Sequence, residues 1–351
     1  MTNKLELVRA GAGSGKTYDL CETVAQAVAD GLDPARILAT TFTKKAAAEL
    51  KGRVQSKLRG MDASDASPFG VSDRFELAAI GTVHSVAHQL LSRYAIEMGL
   101  SPRLEVIMEE FAEEVLSSLV GNASSSDPEM FGECSKRLGI TEPHKRILEL
   151  LSAVRGNRIS DELFREQMQI SADRVCEILT PLATGDNVCS ADELLELAAR
   201  AKDSIRGLEN DTTKVTAGAI SALQALPSPK NPYWSRYLVA TKIKAGIASG
   251  ADGMLDELRN AAAKVRQHPE LHADVQKFSQ LLTEATLDLA SQYEAHKRER
   301  GLIDYTDLEL LLLNLLEDEA IALQVSEDFE LILVDEFQDT NPLQLEIFQN
   351  L

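Results

Sequence analysis

Two hydrophobic patterns alternate in residues 1–100 and again after Gly301. Short continuous apolar runs are followed by stretches in which apolar side chains recur every three or four positions. The short runs predict buried β-strands, and the spaced stretches predict amphipathic helices. Strands that alternate with helices form a parallel sheet with helices on both faces, which is an α/β fold. The predicted strands are residues 5–8, 37–42, 77–81 and 329–334.

Between residues 101 and 301 the pattern is almost entirely helical, with short breaks rich in Gly, Pro and Ser. The clearest predicted helix covers residues 269–300, where apolar side chains share one face and Gly301 favours a C-terminal cap. After it, Asp304 is placed to cap a further helix. The segments show no fixed repeat, so a solenoid is not indicated. We therefore predict a large all-helical domain, 101–301, inserted into a discontinuous α/β domain formed by 1–100 and 302–351.

Composition narrows the class of protein. Of the 351 residues 44% are hydrophobic, which is enough for a substantial core. No apolar run approaches the ~20 residues of a membrane-spanning helix, and the first residues lack the apolar core of a signal peptide. The four cysteines stand far apart, which is typical of reduced thiols and does not indicate a metal site. We therefore expect a cytoplasmic protein with no membrane partner.

The charge balance is acidic, with 36 Lys and Arg against 55 Asp and Glu and a net charge of −19. Taken alone, this balance argues against nucleic acid as a partner, because basic surfaces drive phosphate binding. Local clusters matter more than the total, although most charge runs are solvated faces. One basic segment contains Lys44, Lys45, Lys51, Arg53, Lys57 and Arg59.

A glycine-rich stretch near the N-terminus predicts a nucleotide site. It follows the first predicted strand and precedes a helix, so its backbone N–H groups can converge on a polyphosphate at a helix N-terminus. Lys16 would reach the β- and γ-phosphates of ATP, and the Thr17 hydroxyl would ligate Mg²⁺. The usual pattern begins with glycine, where this chain has alanine. The predicted nucleotide-binding residues are Ala10, Gly11, Ala12, Gly13, Ser14, Gly15, Lys16 and Thr17.

The second half of such a site follows the last predicted strand. Asp335 would hold Mg²⁺ through water at the carboxyl end of its strand, where open α/β sheets place ligands. Glu336 would orient and deprotonate the water that attacks the γ-phosphate. Two adjacent acids after a strand are weak evidence alone, but the upstream loop strengthens them. The predicted catalytic residues are therefore Lys16, Asp335 and Glu336.

Five blocks of sequence together resemble the motifs of a known family. They are AGAGSGKT at 10–17, TTFTKKAAAELKGRV at 40–54, GTVHS at 81–85, IDYTDLE at 303–309 and VDEFQDTNPLQ at 334–344. Taken in this order, they resemble the motifs in the N-terminal half of UvrD/Rep-type superfamily 1 DNA helicases, especially the RecB/AddA-like branch. The last block is far more specific than a generic nucleotide motif. The resemblance implies a RecA-like P-loop NTPase domain, with the helical middle as an inserted accessory domain.

The resemblance also implies a groove for single-stranded DNA. Aromatic surfaces with hydroxyl and cationic neighbours suit such a strand. Alternatives stay open: Phe42 as a buried aromatic at a strand end, His84 as a core or helix-capping residue, and Lys44 as a solvated cation. The predicted DNA-binding residues are Thr41, Phe42, Thr43, Lys44, Thr82 and His84.

The chain departs from this family in what it lacks. It starts too close to its first strand for the glutamine motif that reads adenine, and it ends before motif III and the second RecA-like domain. We therefore expect a fragment or a split half of an ATP-dependent 3′→5′ helicase of repair, recombination or phage defence, with the polarity taken from the resemblance. Its partners would be single-stranded DNA and a second RecA-like domain, in a missing C-terminal part or on a separate polypeptide. Alone, it should bind ATP–Mg²⁺, hydrolyse ATP slowly and not unwind DNA.

Two other functions remain open from the sequence. The first is an ATP-binding interaction module that docks a partner protein through its helical domain with little catalysis. The second, a phosphotransferase of a kinase-like kind, is weaker because nothing resembles an acceptor site. Finding no DNA binding at low salt would favour the docking module, since phosphate contacts strengthen as salt falls.

Overall fold

A computed structural model describes residues 8, 16–62, 74–99, 105–123, 125–180, 188–208 and 213–351, with the backbone alone at 16, 17 and 60–62. The chain divides into two compact units. We call them the sheet unit, Met1–Glu113 with Lys297–Leu351, and the helical unit, Glu114–His296. The domain limits expected from the sequence, 1–100 with 302–351 and 101–301, stay a prediction.

The sheet unit contains a parallel sheet of three strands, β1 (Ile37–Thr41), β2 (Ala79–Thr82) and β5 (Leu331–Val334), in the order β2-β1-β5. In the register of this sheet Thr41 pairs with Thr82, and Thr40 pairs with Val334. The carboxyl ends of all three strands therefore meet at one edge, which we call the carboxyl edge. Two short strands, β3 (Glu105–Val106) and β4 (Leu302–Ile303), form a separate parallel pair.

Helices cover both faces of this sheet. Alternate side chains of β1 point to opposite faces, and the buried residues follow that rule: Leu38 packs in one apolar cluster, and Ile37 and Ala39 pack in another. This arrangement is the predicted α/β fold with a parallel sheet. The helices of the sheet unit are α1 (Lys16–Ala29), α2 (Lys44–Asp62), α3 (Val83–Arg93), α13 (Tyr305–Glu317), α14 (Glu319–Asp328) and α15 (Pro342–Asn350), with short 3₁₀ turns at Pro34–Arg36, Phe75–Leu77 and Phe337–Asp339. Two further helices, α4 (Glu109–Val120) and α12 (Pro269–Arg300), have a few residues in the sheet unit and most of their length in the helical unit.

Local signals set the helix ends in this unit. Gly31, at φ +101°, lies in the turn after α1, in a region that favours glycine. Asp304 starts α13 with a capping box, in which its carboxylate accepts from the N–H of Asp307 at 2.8 Å and the Asp307 carboxylate accepts from the N–H of Asp304 at 2.8 Å. The ammonium of Lys297, 2% exposed, donates to both carboxylate oxygens of Asp307 at 2.6 and 2.8 Å. This ion pair fixes the turn between α12 and α13.

The described residues of the helical unit form helices and connecting loops, without a strand. Leucines, alanines and aromatic side chains build its two apolar clusters. Its buried Asp274 accepts from the indole N–H of Trp234 at 2.9 Å and pairs with Arg137, so the carboxylate is not left unmatched. The helices are α5 (Pro128–Leu138), α6 (Pro143–Gly156), α7 (Asp161–Leu179), α8 (Ala191–Arg206), α9 (Lys214–Ala225), α10 (Tyr233–Lys242) and α11 (Asp256–Ala263), with 3₁₀ turns at Asp252–Leu255 and Lys264–Gln267.

One ion pair in this unit lowers the pKa of its carboxyl group. The guanidinium of Arg259 donates to the carboxylate of Asp252 and to the carbonyl oxygen of Ile243 at 2.8 Å. The hydrogen bond from Arg259, with a second from the Ala245 N–H, lowers the pKa of Asp252 to about 2. Asp252 is therefore a stronger acid in the folded chain than a free aspartate.

Several sequence predictions are confirmed and several are corrected. The helix predicted for 269–300 is α12 (Pro269–Arg300). The strand predicted for 37–42 ends at Thr41, and the strand predicted for 77–81 covers Ala79–Thr82. The strand predicted as buried at 329–334 begins only at Leu331, and its side chains are half-buried. Of the strand predicted at 5–8, only Val8 lies within the described residues, and it is exposed and not in a strand.

The structure also bears on the cysteines and on membrane-spanning helices. Cys21, Cys134, Cys176 and Cys189 are free thiols, and burial raises the pKa of each. No helix in the part of the chain that the structure describes is long and apolar enough to cross a membrane.

Candidate functional site

Only the last two residues of the predicted phosphate loop lie within the described part of the chain. Ala10, Gly11, Ala12, Gly13, Ser14 and Gly15 lie outside the described residues. Lys16 and Thr17 are the first two residues of α1. The first backbone N–H groups of a helix lack partners within the helix and carry partial positive charge, which favours an anion at that end.

Asp335 lies at the carboxyl end of β5. Its backbone N–H donates to the carbonyl oxygen of Thr40 at 2.9 Å, which extends the pairing with β1 by one residue. Its Oδ1 accepts from the N–H of Glu336 at 3.0 Å, and the side chain is half-buried. The carboxylate is therefore anchored at the carboxyl edge by the sheet itself.

Glu336 has a left-handed backbone with φ +53° and ψ +41°. For a residue with a β-carbon, this conformation costs on the order of 1–2 kcal/mol. Such strain persists where the surroundings over-determine it, and it clusters at functional sites. The Glu336 carboxylate accepts a hydrogen bond from the amide of Gln338 in the following 3₁₀ turn. The turn thus holds the predicted catalytic carboxylate within the loop that follows β5.

At the end of β1, the chain leaves the sheet with one aromatic ring exposed. Thr41 is buried, and its hydroxyl donates to the carbonyl oxygen of Thr43 at 3.0 Å. The Thr43 hydroxyl accepts from the N–H of Ala46 at 3.1 Å and so caps α2. Phe42 is 68% exposed, so the alternative of a buried aromatic at the strand end is wrong. Lys44, the first residue of α2, is also exposed.

At the end of β2, Thr82 caps α3. Its hydroxyl accepts from the N–H of Ser85 at 3.3 Å and lies 2.8 Å from the Ser85 hydroxyl. Gly81 precedes it, and a β-carbon at Gly81 would lie 2.9 Å from the β-carbon of Ser85. The glycine thus allows the strand end and the first turn of α3 to approach closely. His84 follows in that turn, where its ring stacks on Tyr305 with centroids 4.5 Å apart.

A buried carboxylate lies behind His84. Glu309 of α13 is 4% exposed. Its oxygens lie 3.1 Å from Nε2 of His84, 3.1 Å from Nδ2 of Asn341 and 2.6 Å from Nε2 of Gln344. Burial opposes ionisation of Glu309, but the hydrogen bonds from His84, Gln344 and Asn341 outweigh it and lower the pKa of the carboxyl. We call these four side chains the Glu309 network.

Sequence reasoning missed the roles of Glu309, Asn341 and Gln344, although all three lie in the quoted blocks. A signal for Glu309 was present. It is a charged residue among buried leucines of α13, including Leu308 and Leu312, and a buried acid requires hydrogen-bonding partners. The partners themselves are remote in sequence and carried no signal.

Acidic neighbours neutralise much of the basic segment that starts at Lys44. Lys51 pairs with Glu76 at 2.7 Å, and Arg53 and Lys57 pair with acids as well. Lys44 and Lys45 form no ion pair with the residues that the structure describes. The segment is therefore two exposed cations at a helix N-terminus, followed by a largely balanced helix face.

The carboxyl edge thus combines two chemistries. The Asp335 carboxylate offers oxygen ligands of the kind that Mg²⁺ prefers, and Mg²⁺ is usually held by one or two carboxylates plus substrate phosphates. Within the described ranges, no cluster of three or more His, Cys, Asp or Glu could hold a metal ion by itself. Beside it, the exposed Phe42 ring, Lys44 and the threonine-capped starts of α2 and α3 suit an anionic strand with stacking bases.

A family model and several known proteins match nearly the whole of this chain. The family model of the UvrD/REP helicase N-terminal domain matches residues 1–351. One subunit of the ATP-dependent helicase/nuclease of Staphylococcus carnosus (strain TM300) is 24% identical over 392 residues, which cover 97% of this chain and 32% of that protein. The proteins of the same name from Bacillus thuringiensis (strain Al Hakam) and Bacillus anthracis are each 24% identical over 406 residues, covering 98% of this chain and 32% of each relative. The chain spans about a third of the length of these curated relatives.

Proposed function

The chain belongs to the UvrD/REP helicase N-terminal domain family, and from that premise we propose that it is the ATP-binding motor half of a DNA helicase. This family implies a RecA-like P-loop fold and a DNA-dependent ATPase. One observation carries the proposal: a single sheet edge brings together Asp335 and Glu336, the exposed Phe42, and the capped first turn that contains His84. The name shared by the relatives, which describes one part of an ATP-dependent helicase/nuclease, supports it.

On the nucleotide side, the chain's residues have separate tasks. Bound ATP with Mg²⁺ would supply the phosphoanhydride bond whose hydrolysis drives movement. The N–H groups of residues 10–15 and the Lys16 ammonium would bind the phosphates. The Thr17 hydroxyl and the Asp335 carboxylate would hold Mg²⁺. Glu336 would orient the attacking water and accept its proton.

On the DNA side, the proposed ligand is single-stranded DNA. The Phe42 ring would stack on a base, while Lys44 and the N-terminus of α2 would contact phosphate. Thr43, Thr82 and His84 would line the same track. Thr41 is buried, so its contribution is to shape the turn that exposes Phe42.

The proposal also covers the domains of the motor and the direction in which it moves. The helical unit would be the accessory domain that this family inserts into its first motor domain. A second RecA-like domain, in the same polypeptide or in a partner protein, would complete the nucleotide site. Translocation would run 3′→5′ in DNA repair, recombination or phage defence, and this polarity rests on family resemblance.

Nucleotide binding is tested on the full chain with a fluorescent ATP analogue and Mg²⁺. We expect Lys16→Ala to lose binding, because the phosphates lose their cation. Glu336→Gln should bind the nucleotide but show no measurable hydrolysis. Lys145→Ala, which removes an exposed cation on α6, is the matched control. Unchanged binding by Lys16→Ala would contradict the site assignment.

DNA binding is tested with a labelled single-stranded oligonucleotide at low and raised salt. Stacking is worth ~1–3 kcal/mol per base, so Phe42→Ala should weaken binding by about 5- to 150-fold. Phe111 is 54% exposed on α4, and Phe111→Ala should leave the affinity unchanged. Absence of DNA binding at low salt, with nucleotide binding intact, would instead favour a docking module.

A further inference from the structure

The Glu309 network joins the two halves of the carboxyl edge through one buried carboxylate. His84 belongs to the DNA side, since it lies two residues beyond the end of β2. Asn341 and Gln344 belong to the nucleotide side, since they follow the loop that carries Asp335 and Glu336. All three side chains meet at the oxygens of Glu309.

We propose that Glu309 is a positioning residue that couples nucleotide binding to single-stranded DNA binding in this chain. The inference rests on the proposed function of the two halves. It goes further by assigning the coupling to a side chain that contacts neither ligand.

On the DNA side, Glu309 fixes the orientation of His84. One ring nitrogen, Nε2, lies 3.1 Å from the Glu309 carboxylate, and the ring face stacks on Tyr305 at an interplanar angle of 22°. Two contacts of different kinds leave the imidazole little freedom to rotate. Any shift of the carboxylate therefore turns or displaces the His84 ring.

On the nucleotide side, Glu309 holds the start of α15. The Asn341 side chain uses both ends of its amide. Its carbonyl oxygen accepts from the N–H of Gln344 at 2.8 Å as the helix cap, and its NH₂ donates to Glu309. Gln344 adds a second donor at 2.6 Å. Because the 3₁₀ turn Phe337–Asp339 connects Glu336 to this cap, movement of the Glu336 loop pulls on the carboxylate.

The side chains that donate to Glu309 are coupled to one another because the carboxylate that they share is buried. Its neighbours on α13 are fully buried leucines, among them Leu312 and Leu313. A donor that moved away alone would leave a buried charge partly unmatched, which is unfavourable in a low-dielectric interior. The three donors are therefore expected to shift together.

The test measures binding linkage on the full chain. The affinity for a labelled single-stranded oligonucleotide is determined with and without a non-hydrolysable ATP analogue and Mg²⁺. The ratio of the two dissociation constants is the coupling factor, and the same factor must appear when nucleotide affinity is measured with and without DNA. For the unmodified chain we expect a factor of at least about 5 in either direction.

Glu309→Leu keeps the side-chain volume but removes the acceptor. We expect its coupling factor to fall within about twofold of one, while nucleotide affinity without DNA changes by less than about threefold. Glu309→Gln keeps an acceptor oxygen and should restore part of the coupling. Glu317→Leu, which removes an exposed acid from the same helix, should behave as the unmodified chain.

A second variant guards against misfolding of Glu309→Leu. Gln344→Leu removes the 2.6 Å hydrogen bond and leaves the Asn341 cap in place, so it should reduce the coupling factor in a folded chain. Full coupling in both leucine variants would overturn the inference, as would a factor of one in an unmodified chain that binds both ligands. An unmodified chain that binds neither ATP nor DNA would overturn the proposed function, and the inference with it.

Discussion

Gly81→Ala is expected to destabilise the sheet unit through one contact. The new methyl carbon would lie 2.9 Å from the β-carbon of Ser85, with Val86 Cγ2 at 3.8 Å. The β-carbon of Ser85 is attached directly to the backbone of α3, so it cannot rotate away. Overpacking of this kind costs ~1–3 kcal/mol. Replacing glycine also restricts the unfolded chain, which returns ~0.4–1 kcal/mol. The net loss should be about 1–2 kcal/mol.

The chain offers a matched control and a rescue. Gly52 lies on the exposed side of α2, and a β-carbon there meets nothing within 4 Å, so Gly52→Ala should gain ~1 kcal/mol from helix propensity. Ser85→Gly removes the atom that clashes. Combined with Gly81→Ala, it should cost less than the sum of the single changes, with a coupling energy of ~1–2 kcal/mol.

The assay is urea unfolding followed by circular dichroism, with single-stranded DNA affinity measured on the same variants. The displaced turn carries the Thr82 cap and His84, so Gly81→Ala should also weaken DNA binding, whereas Gly52→Ala should not. Stability of Gly81→Ala equal to that of the unmodified chain would refute the steric reasoning. Failure of Ser85→Gly to relieve the loss would refute the identity of the contact.

Three further predictions concern charge and backbone geometry. Lys297→Met removes the ammonium that pairs with the largely buried Asp307, and it should cost ~3–5 kcal/mol in urea unfolding; a loss below about 1 kcal/mol would contradict this. The pKa of Asp252 in the folded chain is lowered to about 2 by the hydrogen bond from Arg259. The ionised carboxylate therefore stabilises the fold above the unfolded pKa of ~3.9, and this contribution is lost as pH falls toward the folded pKa. Asp252→Asn should therefore flatten the acid dependence of stability between those pH values, and an unchanged slope would exclude this origin. Gly31→Ala, at φ +101°, should cost ~1–2 kcal/mol and lower the melting temperature; an unchanged melting temperature would contradict the strain expected at this residue.

Periodic signals could be predicted from the sequence because they are local. The helix α12 has apolar side chains at three- and four-residue steps and a glycine after its last turn, and both of its limits agree with the prediction. The cap at Asp304 could be predicted from an acid before a leucine-rich run, and Asp304 is the N-cap of α13. Such features depend on a few neighbouring residues, which the sequence shows directly.

Exposure at the ends of strands could not be predicted in the same way. The apolar run at 37–42 includes Phe42, but the chain leaves the sheet after Thr41 and the ring is exposed. Likewise, the apolar side chains of β5 are only half-buried. Hydrophobicity predicts that a residue favours the core. It does not decide whether the path of the backbone places that residue in the core, and at the carboxyl edge the ring of Phe42 lies outside it.

The Glu309 network shows a third kind of limit. A buried charge in α13 could be noticed from the sequence, but its partners come from α3, 225 residues away along the chain, and from α15 and its cap, 32 and 35 residues away. Only the register of the sheet and the packing of helices on it bring those positions together. Long-range polar contacts of this kind are set by the fold as a whole.

The single carboxylate of Glu309 also limits how this part of the chain can evolve. Replacing Glu309 by an apolar residue leaves the amides of Asn341 and Gln344 and a ring nitrogen of His84 without their acceptor. Replacing one of the donors alone leaves a buried charge with one hydrogen bond fewer. Substituting these four residues one at a time therefore produces destabilised variants. In an alignment of relatives, the four positions should consequently vary together.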